Sequence, residues 1–251
     1  MGIEDGLRHF HYGLCLMPSW GLWRNGCEIE VSLRQQRLLA VLAVHGTCRR
    51  ELIAGMLWPE SPESSALDNL RVSIHRVTSG LPNLIHTNRH VLELSEWVGV
   101  DLHREWEALE GTAGPGNDKP PGTTPLLQGW YEDWVLNEQV RLLQARTAYW
   151  RRTALQCLAR HDYAGTVESA AQGLFLDVLD EAALEIMVVA QLALGQCVSA
   201  LKAIVGFRSR ARKELGIAGS PTLDRLETQV RRAANAPYAG FSVGGPDRWS
   251  I

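Results

Sequence analysis

Residues 67–77 combine an apolar helical stripe with side chains that can read DNA bases. The stripe places apolar side chains at steps of four, three and four residues: Leu70, Ile74, Val77 and Leu81. At about 100° per residue, the opposite side of such a helix carries amide, guanidinium, imidazole and small apolar groups. These groups discriminate base edges in a DNA major groove, and they belong to Asn69, Arg71, Val72, His75 and Arg76. The spacing therefore predicts a helix that is buried on one side and offers a DNA-reading surface on the other.

Two shorter helical patterns precede this segment. Residues 33–45 and 49–57 repeat apolar side chains at helical spacing, and the turn at 58–62 ends the second pattern because proline cannot continue a helix. Ser61 or Ser64 can cap the third helix, and Glu63 favours its N-terminus by charge. An amphipathic helix with a few arginines is commonly only a solvated surface helix. The interpretation of residues 67–77 as a DNA-reading helix therefore depends on the two helical patterns that precede it.

Strand patterns lie on both sides of the three helices. Before them come three apolar or alternating segments: 12–17, 20–23 and 27–31. The Asn25-Gly26 dipeptide predicts a tight turn between the last two segments. After the helices, residues 84–87 and 91–94 predict a hairpin across three polar residues. A small sheet, three helices and a hairpin follow one another in a winged helix-turn-helix, in which the hairpin is the wing.

This element order and several short motifs resemble the SARP family of bacterial antibiotic regulatory proteins, from about residue 14 to the 230s. In the first half, the matching features are Leu33–His45 (LRQQRLLAVLAVH), Leu57-Trp58-Pro59, Ala66 with Asn69-Leu70-Arg71, and Val100-Asp101-Leu102. In the second half, they are residues 129–135 (GWYEDWV) and Lys213-Glu214-Leu215-Gly216. The family joins an OmpR-type winged helix-turn-helix to a bacterial transcriptional activation domain.

The resemblance implies a transcriptional activator that binds promoter direct repeats upstream of secondary-metabolite (antibiotic) biosynthesis genes. It implies side-by-side protomers or a dimer on double-stranded DNA, and a helical domain that engages RNA polymerase holoenzyme. The third helix would enter the major groove, and wing residues Thr87 and Arg89 would contact the adjacent backbone or minor groove. The expected DNA-binding residues are Asn69, Arg71, Val72, His75, Arg76, Thr87, Arg89 and Arg49. His75 and Thr78 stand where OmpR-type proteins often place arginine, and Asp68 puts an acid near the phosphates.

The charge of the first hundred residues does not by itself favour DNA binding. They contain nine arginines, no lysine and ten acidic residues, a net charge of −1, whereas nucleic-acid-binding domains are commonly basic. Affinity would then depend on arginines that gather locally: Arg34, Arg37, Arg49, Arg50, Arg71, Arg76 and Arg89. One such domain is expected to bind one half-site weakly, so that a second linked binding event is needed for useful occupancy.

The second half predicts stacked helical repeats. Helices are expected near 130–160, 163–176, 181–194, 197–215 and 222–233. Setting residues 162–171 above residues 196–205 aligns small and apolar side chains at an offset of 34 residues, the tetratricopeptide period. The aligned pairs are Ala164 with Val198, Val167 with Leu201, and Ala170 with Ile204. Gly195 and Gly216 are expected to end helices in the left-handed conformation, while His161 stands where the first repeat would carry glycine.

The predicted fold class is mainly α with a small β component. A winged helix-turn-helix DNA-binding domain over residues 1–100 is followed by an all-α, tetratricopeptide-like activation domain over residues 101–233. Residues 111–125, with four glycines and four prolines, are expected to form a flexible loop, and residues 234–251 a mobile tail. The aromatic residues near 130–150 are more simply explained as packing between helices than as a ligand cage.

The sequence offers no support for catalysis. It contains no Walker A loop, GxSxG elbow, GxGxxG after a strand, or HExxH motif, so neither an enzyme nor a cofactor is predicted. Five scattered cysteines without CxxC spacing favour reduced packing residues, and His9 with His11 is too small a set for a predicted metal site.

The cellular setting and the competing class of function also follow from the sequence. Neither a membrane-length apolar run nor a signal-peptide pattern is found, so a cytoplasmic, nucleoid-associated protein is expected. The alternative function is a protein–protein adaptor, in which the winged helix does not bind DNA and the repeats act as a scaffold. The near-neutral first domain is the best support for that alternative.

Overall fold

The computed structural model describes residues 11–112, 119–217 and 219–235. Two compact units are present, Met1–Arg146 and Thr147–Ile251. The first unit contains two small sheets and four complete helices in its described part, and the second is helical. This arrangement confirms the predicted fold class, mainly α with a small β component.

The elements of the first unit follow the predicted order. They are β1 (Tyr12–Cys15), β2 (Gly21–Arg24), β3 (Cys27–Glu28), α1 (Leu33–His45), β4 (Cys48–Arg49), α2 (Arg50–Leu57), α3 (Glu63–Gly80), β5 (Ile85–Thr87), β6 (Val91–Leu94), β7 (Val98–Val100) and α4 (Asp101–Glu110). Helix α1 and strand β6 have the predicted bounds, and the other predicted elements agree to within a few residues. The two-residue strand β4 and the three-residue strand β7 are additions that the sequence patterns did not predict.

Strand β7 completes the first sheet, whose strand order is β3-β2-β1-β7. β1 pairs antiparallel with β2 and parallel with β7, so that Gly13 lies opposite Gly99. At the β2–β3 turn, Asn25 and Gly26 have φ angles of 51° and 80°. Two successive left-handed residues form the tight hairpin turn that the Asn-Gly dipeptide predicts.

The second sheet contains the hairpin that was predicted to be a wing. Its strand order is β4-β6-β5, and β6 pairs antiparallel with both neighbours. Strand β4 joins the hairpin to the start of α2, because Arg49 lies opposite Val91 and α2 begins at the next residue. The hairpin is therefore tied to the helical part of the unit along one edge.

A single apolar core holds the three helices to the sheets. Six consecutive residues of α1, 38–43, are buried, together with Ile53 and Leu57 of α2. Helix α3 contributes the predicted stripe, in which Leu70 and Val77 are almost fully buried and Ile74 is 7% exposed. At the end of α3, the Tyr12 hydroxyl donates to the carbonyl oxygen of Pro82 at 2.9 Å, which links β1 to this helix.

Helix α4 is anchored by a buried carboxyl group. Both Asp101 oxygens accept backbone hydrogen bonds from Leu16 at 2.9 Å, and Met17 donates another to Oδ2 at 2.9 Å. Burial raises the pKa of Asp101 above its ordinary value, although the backbone N–H donors and the charge of Arg104 act in the opposite direction. Asp101 is thus a fixed junction between the first sheet and α4.

Residues 119–128 lack regular secondary structure but are held by side chains of the first unit. Buried Arg146 donates to Glu105 at 2.7 Å and to the carbonyl oxygen of Thr124 at 2.8 Å, and Glu105 also accepts from the backbone of Gly122 at 3.0 Å. Of the loop predicted over 111–125, residues 113–118 lie outside the described part. The division between the two compact units falls after Arg146. The predicted boundary between a DNA-binding domain and an activation domain, at residue 101, divides the chain by function and stays a prediction.

The second unit consists of stacked helices. Helix α5 (Asp133–Ala159) contributes residues to both units and is followed by α6 (Tyr163–Leu176), α7 (Glu181–Ala193), α8 (Cys197–Leu215) and α9 (Pro221–Asn235). The aligned residues Ala170 and Ile204 are fully buried in one cluster, while Val167 and Leu201 pack against it partly buried. The third aligned pair, Ala164 and Val198, is exposed, so these residues do not serve the core.

The helix ends of the second unit use left-handed residues as predicted. Gly195 and Gly216 have φ angles of 71° and 70°, and His161 takes the same conformation at 59°. No helix in the described ranges is both long and apolar enough to cross a membrane. Of the tail predicted from residue 234, the first two residues belong to α9, and the remainder lies outside the described ranges.

Candidate nucleic-acid interface

Helix α3 presents a continuous exposed face opposite its buried stripe. Asp68, Arg71, His75 and Arg76 are exposed on this face, and Val72 retains 48% of its accessible surface. The face forms because the apolar residues recur at helical spacing, while neither glycine nor proline occurs before Gly80 at the end of the helix. An exposed apolar tip among charged groups suits contact with a thymine methyl group in a major groove.

Arg71 and Asp68 form an ion pair on this face. One guanidinium nitrogen of Arg71 donates to the Asp68 carboxylate one turn earlier, and both side chains are 69% exposed. An exposed pair of this kind is worth roughly 0–1 kcal/mol, so a phosphate or a base can displace the carboxylate at little cost. Arg76 makes no hydrogen bond or ion pair with any residue in the described ranges.

Asn69 differs from the other residues expected on the DNA-reading face. It is only half-exposed, and its backbone carbonyl oxygen accepts a hydrogen bond from the buried Ser73 hydroxyl at 2.9 Å. Its side chain therefore lies at the border between the exposed face and the packed side. The Thr78 hydroxyl donates a hydrogen bond to the Ile74 carbonyl oxygen at 3.0 Å, so it is less available to contact DNA.

The β5–β6 hairpin ends in an exposed turn that carries the two predicted wing contacts. Thr87 and Arg89 are both exposed. Between them, the Asn88 side-chain oxygen accepts from the backbone N–H groups of His90 and Val91 at 2.8 and 2.9 Å. This Asx-type turn fixes the local backbone, and asparagine favours it because its short side chain can replace a backbone acceptor.

The patterns in the sequence did not single out Arg50 as a wing residue. Its Nε and Nη2 atoms donate to the Asn88 carbonyl oxygen at 3.1 and 2.9 Å, and Nη2 also donates to Thr87 Oγ1 at 2.6 Å. Its backbone N–H donates to the His90 carbonyl oxygen at 3.0 Å. The preceding residue, Arg49, is exposed on β4 beside β6. Arg49, Thr87 and Arg89 are therefore brought together by one small sheet.

Acidic residues accompany some of the arginines that were expected to gather. Arg37 forms an ion pair with Glu132 at 2.8 Å, which withdraws it from a DNA surface. On the hairpin, Glu93 accepts a hydrogen bond from the Thr47 hydroxyl at 2.5 Å and faces His86 across the strands. Of the arginines that were expected to gather, Arg34, Arg49, Arg76 and Arg89 are exposed and have no partner in the described ranges. Positive charge is thus local to a few positions.

The chemistry of this surface is that of binding. It offers guanidinium and imidazole groups that suit phosphate oxygens and guanine or adenine edges. Within the described ranges, no group of three or more His, Cys, Asp or Glu side chains is arranged to hold a metal ion. The aromatic residues near α5 behave mainly as packing groups, because Trp134 is buried and Trp130 stacks on Trp20 at 6.4 Å between ring centres. Tyr131 differs from them, since it is 79% exposed.

Comparison with known proteins identifies the fold. No protein-family model matches the chain, and no curated protein is found as a relative. Among solved structures, the chain is similar to Mycobacterium tuberculosis EmbR in complex with a low affinity phosphopeptide, with a TM-score of 0.63 and 17% sequence identity. The match covers 89% of this chain and 65% of the EmbR chain. The chain therefore shares the fold of EmbR over the matched part.

Proposed function

We propose that this protein is a sequence-specific DNA-binding transcriptional activator of the SARP type. The observation that carries the proposal is the α3 face, on which Arg71, His75 and Arg76 stand exposed on a helix whose other side is buried in the core. In a winged helix-turn-helix, such a helix enters the major groove and the hairpin contacts the flanking backbone. The fold that the chain shares with EmbR supports this arrangement.

The proposal assigns a role to each part of the interface. On the α3 face, base edges or phosphates are read by Arg71, Val72, His75 and Arg76. Asn69 lies at the border of this contact. Thr87, Arg89 and Arg49 contact the backbone or minor groove beside it. The targets are direct repeats upstream of secondary-metabolite (antibiotic) biosynthesis genes, and the helical repeats help to recruit RNA polymerase holoenzyme. The proposed function of this surface is binding rather than catalysis.

Two protomers are expected to bind side by side. With a net charge of −1 over residues 1–100, the DNA-binding part of one protomer gains only a limited number of phosphate contacts, and its affinity for one half-site is low. Two half-sites about one helical turn apart, roughly 10–10.5 base pairs, place both protomers on the same side of the DNA. The second binding event then becomes nearly intramolecular, which raises occupancy without new base contacts.

Chromatin immunoprecipitation with sequencing tests the function in cells. An activator gives discrete peaks at promoters of biosynthetic genes, and the purified protein binds the same fragments directly. Transcription from these promoters should fall when the gene is deleted and return on complementation. An adaptor without DNA-binding activity would give no fragment that the purified protein binds specifically at low salt, and that result would reject the proposal.

Half-site spacing tests the side-by-side arrangement separately. Inserting about five base pairs between the repeats turns one half-site by half a helical turn, so cooperative binding should vanish. A full-turn insertion keeps both sites on one side of the DNA and should restore part of the cooperativity if the protomers can still touch. Cooperative binding that ignores spacing would contradict adjacent protomers, while leaving specific binding by each protomer intact.

A further inference from the structure

The wing turn is bonded to α2 on both sides of Arg89. On one side, the Arg50 guanidinium donates twice to the Asn88 carbonyl oxygen and once to the Thr87 hydroxyl. On the other side, the Arg50 backbone N–H donates to the His90 carbonyl oxygen. Arg89, which lies between these two attachments, is exposed and has no partner within the described ranges. Both of these attachments to α2 come from one residue, Arg50.

The hydrogen bonds inside the turn do not replace this attachment. The Asn88 side chain accepts from His90 and Val91, and the Asn88 backbone N–H donates to Val91 at 3.1 Å. These bonds set the local shape of the turn but connect it to nothing outside the hairpin. Strand β4 attaches the hairpin at Arg49 and Val91, so Arg50 carries the attachment onward to the tip of the wing.

We propose that Arg50 is a positioning residue for Arg89, an inference that rests on the proposed DNA-binding function. Arginine suits the role because its planar fork can donate to two acceptors at once, which a lysine ammonium on a flexible stem does not reproduce. With its turn held in place before DNA arrives, Arg89 reaches a phosphate or the minor groove with less loss of conformational freedom. Arg50 acts on DNA through this geometry rather than through its own charge.

A charge-preserving substitution separates geometry from charge. Arg50→Lys keeps the positive charge but removes the fork, and it should weaken operator binding by about tenfold, close to the loss in Arg50→Gln. Arg160→Lys, an exposed site in the second unit, is the matched control and should bind like the parent protein. Parental affinity in Arg50→Lys would overturn the proposal, because charge alone would then explain the contribution of Arg50.

A double-mutant cycle identifies the residue through which Arg50 acts. If Arg50 works by placing Arg89, adding Arg50→Lys to Arg89→Ala should weaken binding by less than about twofold further, since the positioned group is already absent. Adding Arg50→Lys to Arg76→Ala should instead give the full tenfold loss, because Arg76 stands on α3. Independent losses in both backgrounds would overturn the link between Arg50 and Arg89.

Amide hydrogen exchange of the free full-length protein tests the attachment without DNA. Arg50→Lys should speed exchange at the His90 and Val91 amides, while amides of α3 remain protected as in the parent protein. Unchanged exchange at the wing turn would show that Arg50 does not hold it and would overturn the proposal. A parent protein that binds no DNA site specifically would overturn the proposed function, and the exchange result would still decide whether Arg50 holds the turn.

Discussion

His161 and Gly195 occupy equivalent turns of two successive helical repeats, 34 residues apart, and both have left-handed backbones. The φ angles are 59° at His161 and 71° at Gly195. Left-handed backbone costs an L-residue about 1–2 kcal/mol, whereas glycine adopts it freely. The first repeat therefore contains strain at a turn that the second repeat makes without it.

His161→Gly should stabilise the protein by about 0.5–1 kcal/mol, because relief of the strain exceeds the extra freedom that glycine gives the unfolded chain. Gly195→Ala should destabilise it by about 1–2 kcal/mol. Gly206→Ala inside α8 is a control with the opposite expected sign. It should stabilise the protein, because alanine is favoured over glycine in a helix and its Cβ meets only the end of the Arg210 side chain, at 3.7 Å. Urea unfolding followed by circular dichroism measures all three, and a destabilised His161→Gly variant would contradict the strain.

Asp68→Asn should tighten operator binding, because it releases Arg71 from its ion pair and removes a negative charge that would face the phosphates in the proposed complex. The expected gain is about two- to fivefold, in line with the small energy of an exposed ion pair. The gain should depend on Arg71 and disappear in the Asp68→Asn/Arg71→Ala double variant. Titrations at two salt concentrations measure the effect. Weaker binding by Asp68→Asn would mean that the carboxylate orients Arg71 toward its target.

Arg76→Ala should weaken operator binding by about 1–3 kcal/mol and leave the melting temperature unchanged. The side chain is exposed, lies away from the stripe of Leu70 and Val77, and has no partner within the described ranges. Arg160→Ala removes the same charge from the second unit and serves as the control. A mobility-shift titration and a melting curve check both halves of this prediction. Unchanged affinity would remove Arg76 from the interface.

Asp101→Asn should lower the free energy of unfolding by about 1–3 kcal/mol. Both oxygens of a carboxyl group can accept hydrogen bonds, one from Leu16 and the other from Met17, whereas the NH2 group of an amide cannot accept. The effect should depend on pH. Since the folded-state pKa of Asp101 is raised, the native protein binds more protons than the unfolded chain between the two pKa values. The carboxyl group therefore stabilises most below about pH 4 and less as pH rises through its folded-state pKa.

Urea unfolding of the parent protein and Asp101→Asn at pH 4 and pH 7 tests that sign. The difference between the two proteins should be larger at the lower pH, because other titrating groups affect both equally and cancel. A difference that grows with pH would mean that the native structure favours the ionised carboxylate.

Local patterns predicted most elements but not all of the sheet pairing. The α3 stripe and the Asn25-Gly26 turn have signals within a few residues, because helical periodicity and left-handed turn residues are local properties. Strand β7 has three residues, two of them valine, and is too short for a strand pattern of its own. It becomes a strand by pairing with β1, and no short window of sequence contains that contact.

The candidate interface shows the same limit at a single pair of residues. Arg49 and Arg50 are neighbours of identical type, and only Arg49 was expected among the DNA-binding residues, although no local pattern separates their roles. Arg49 ends β4 with its side chain exposed, whereas Arg50 begins α2 and bonds the wing turn. The α3 face was predictable because helical geometry determines which residues share a side. The role of Arg50 depends on a hairpin almost forty residues later in the chain.

The parallel pairing of β1 with β7 also determines when the first unit can form. Tyr12 is synthesised 86 residues before its partner Val98. Contacts between such distant residues close slowly, because a long loop must be ordered before the pairing is gained. In the second unit, α6 packs against α7 and α8 against α9, so most contacts there form between helices that are adjacent in the sequence. Translation therefore delivers β1 well before the sheet can be completed, and refolding from denaturant should restore the second unit first.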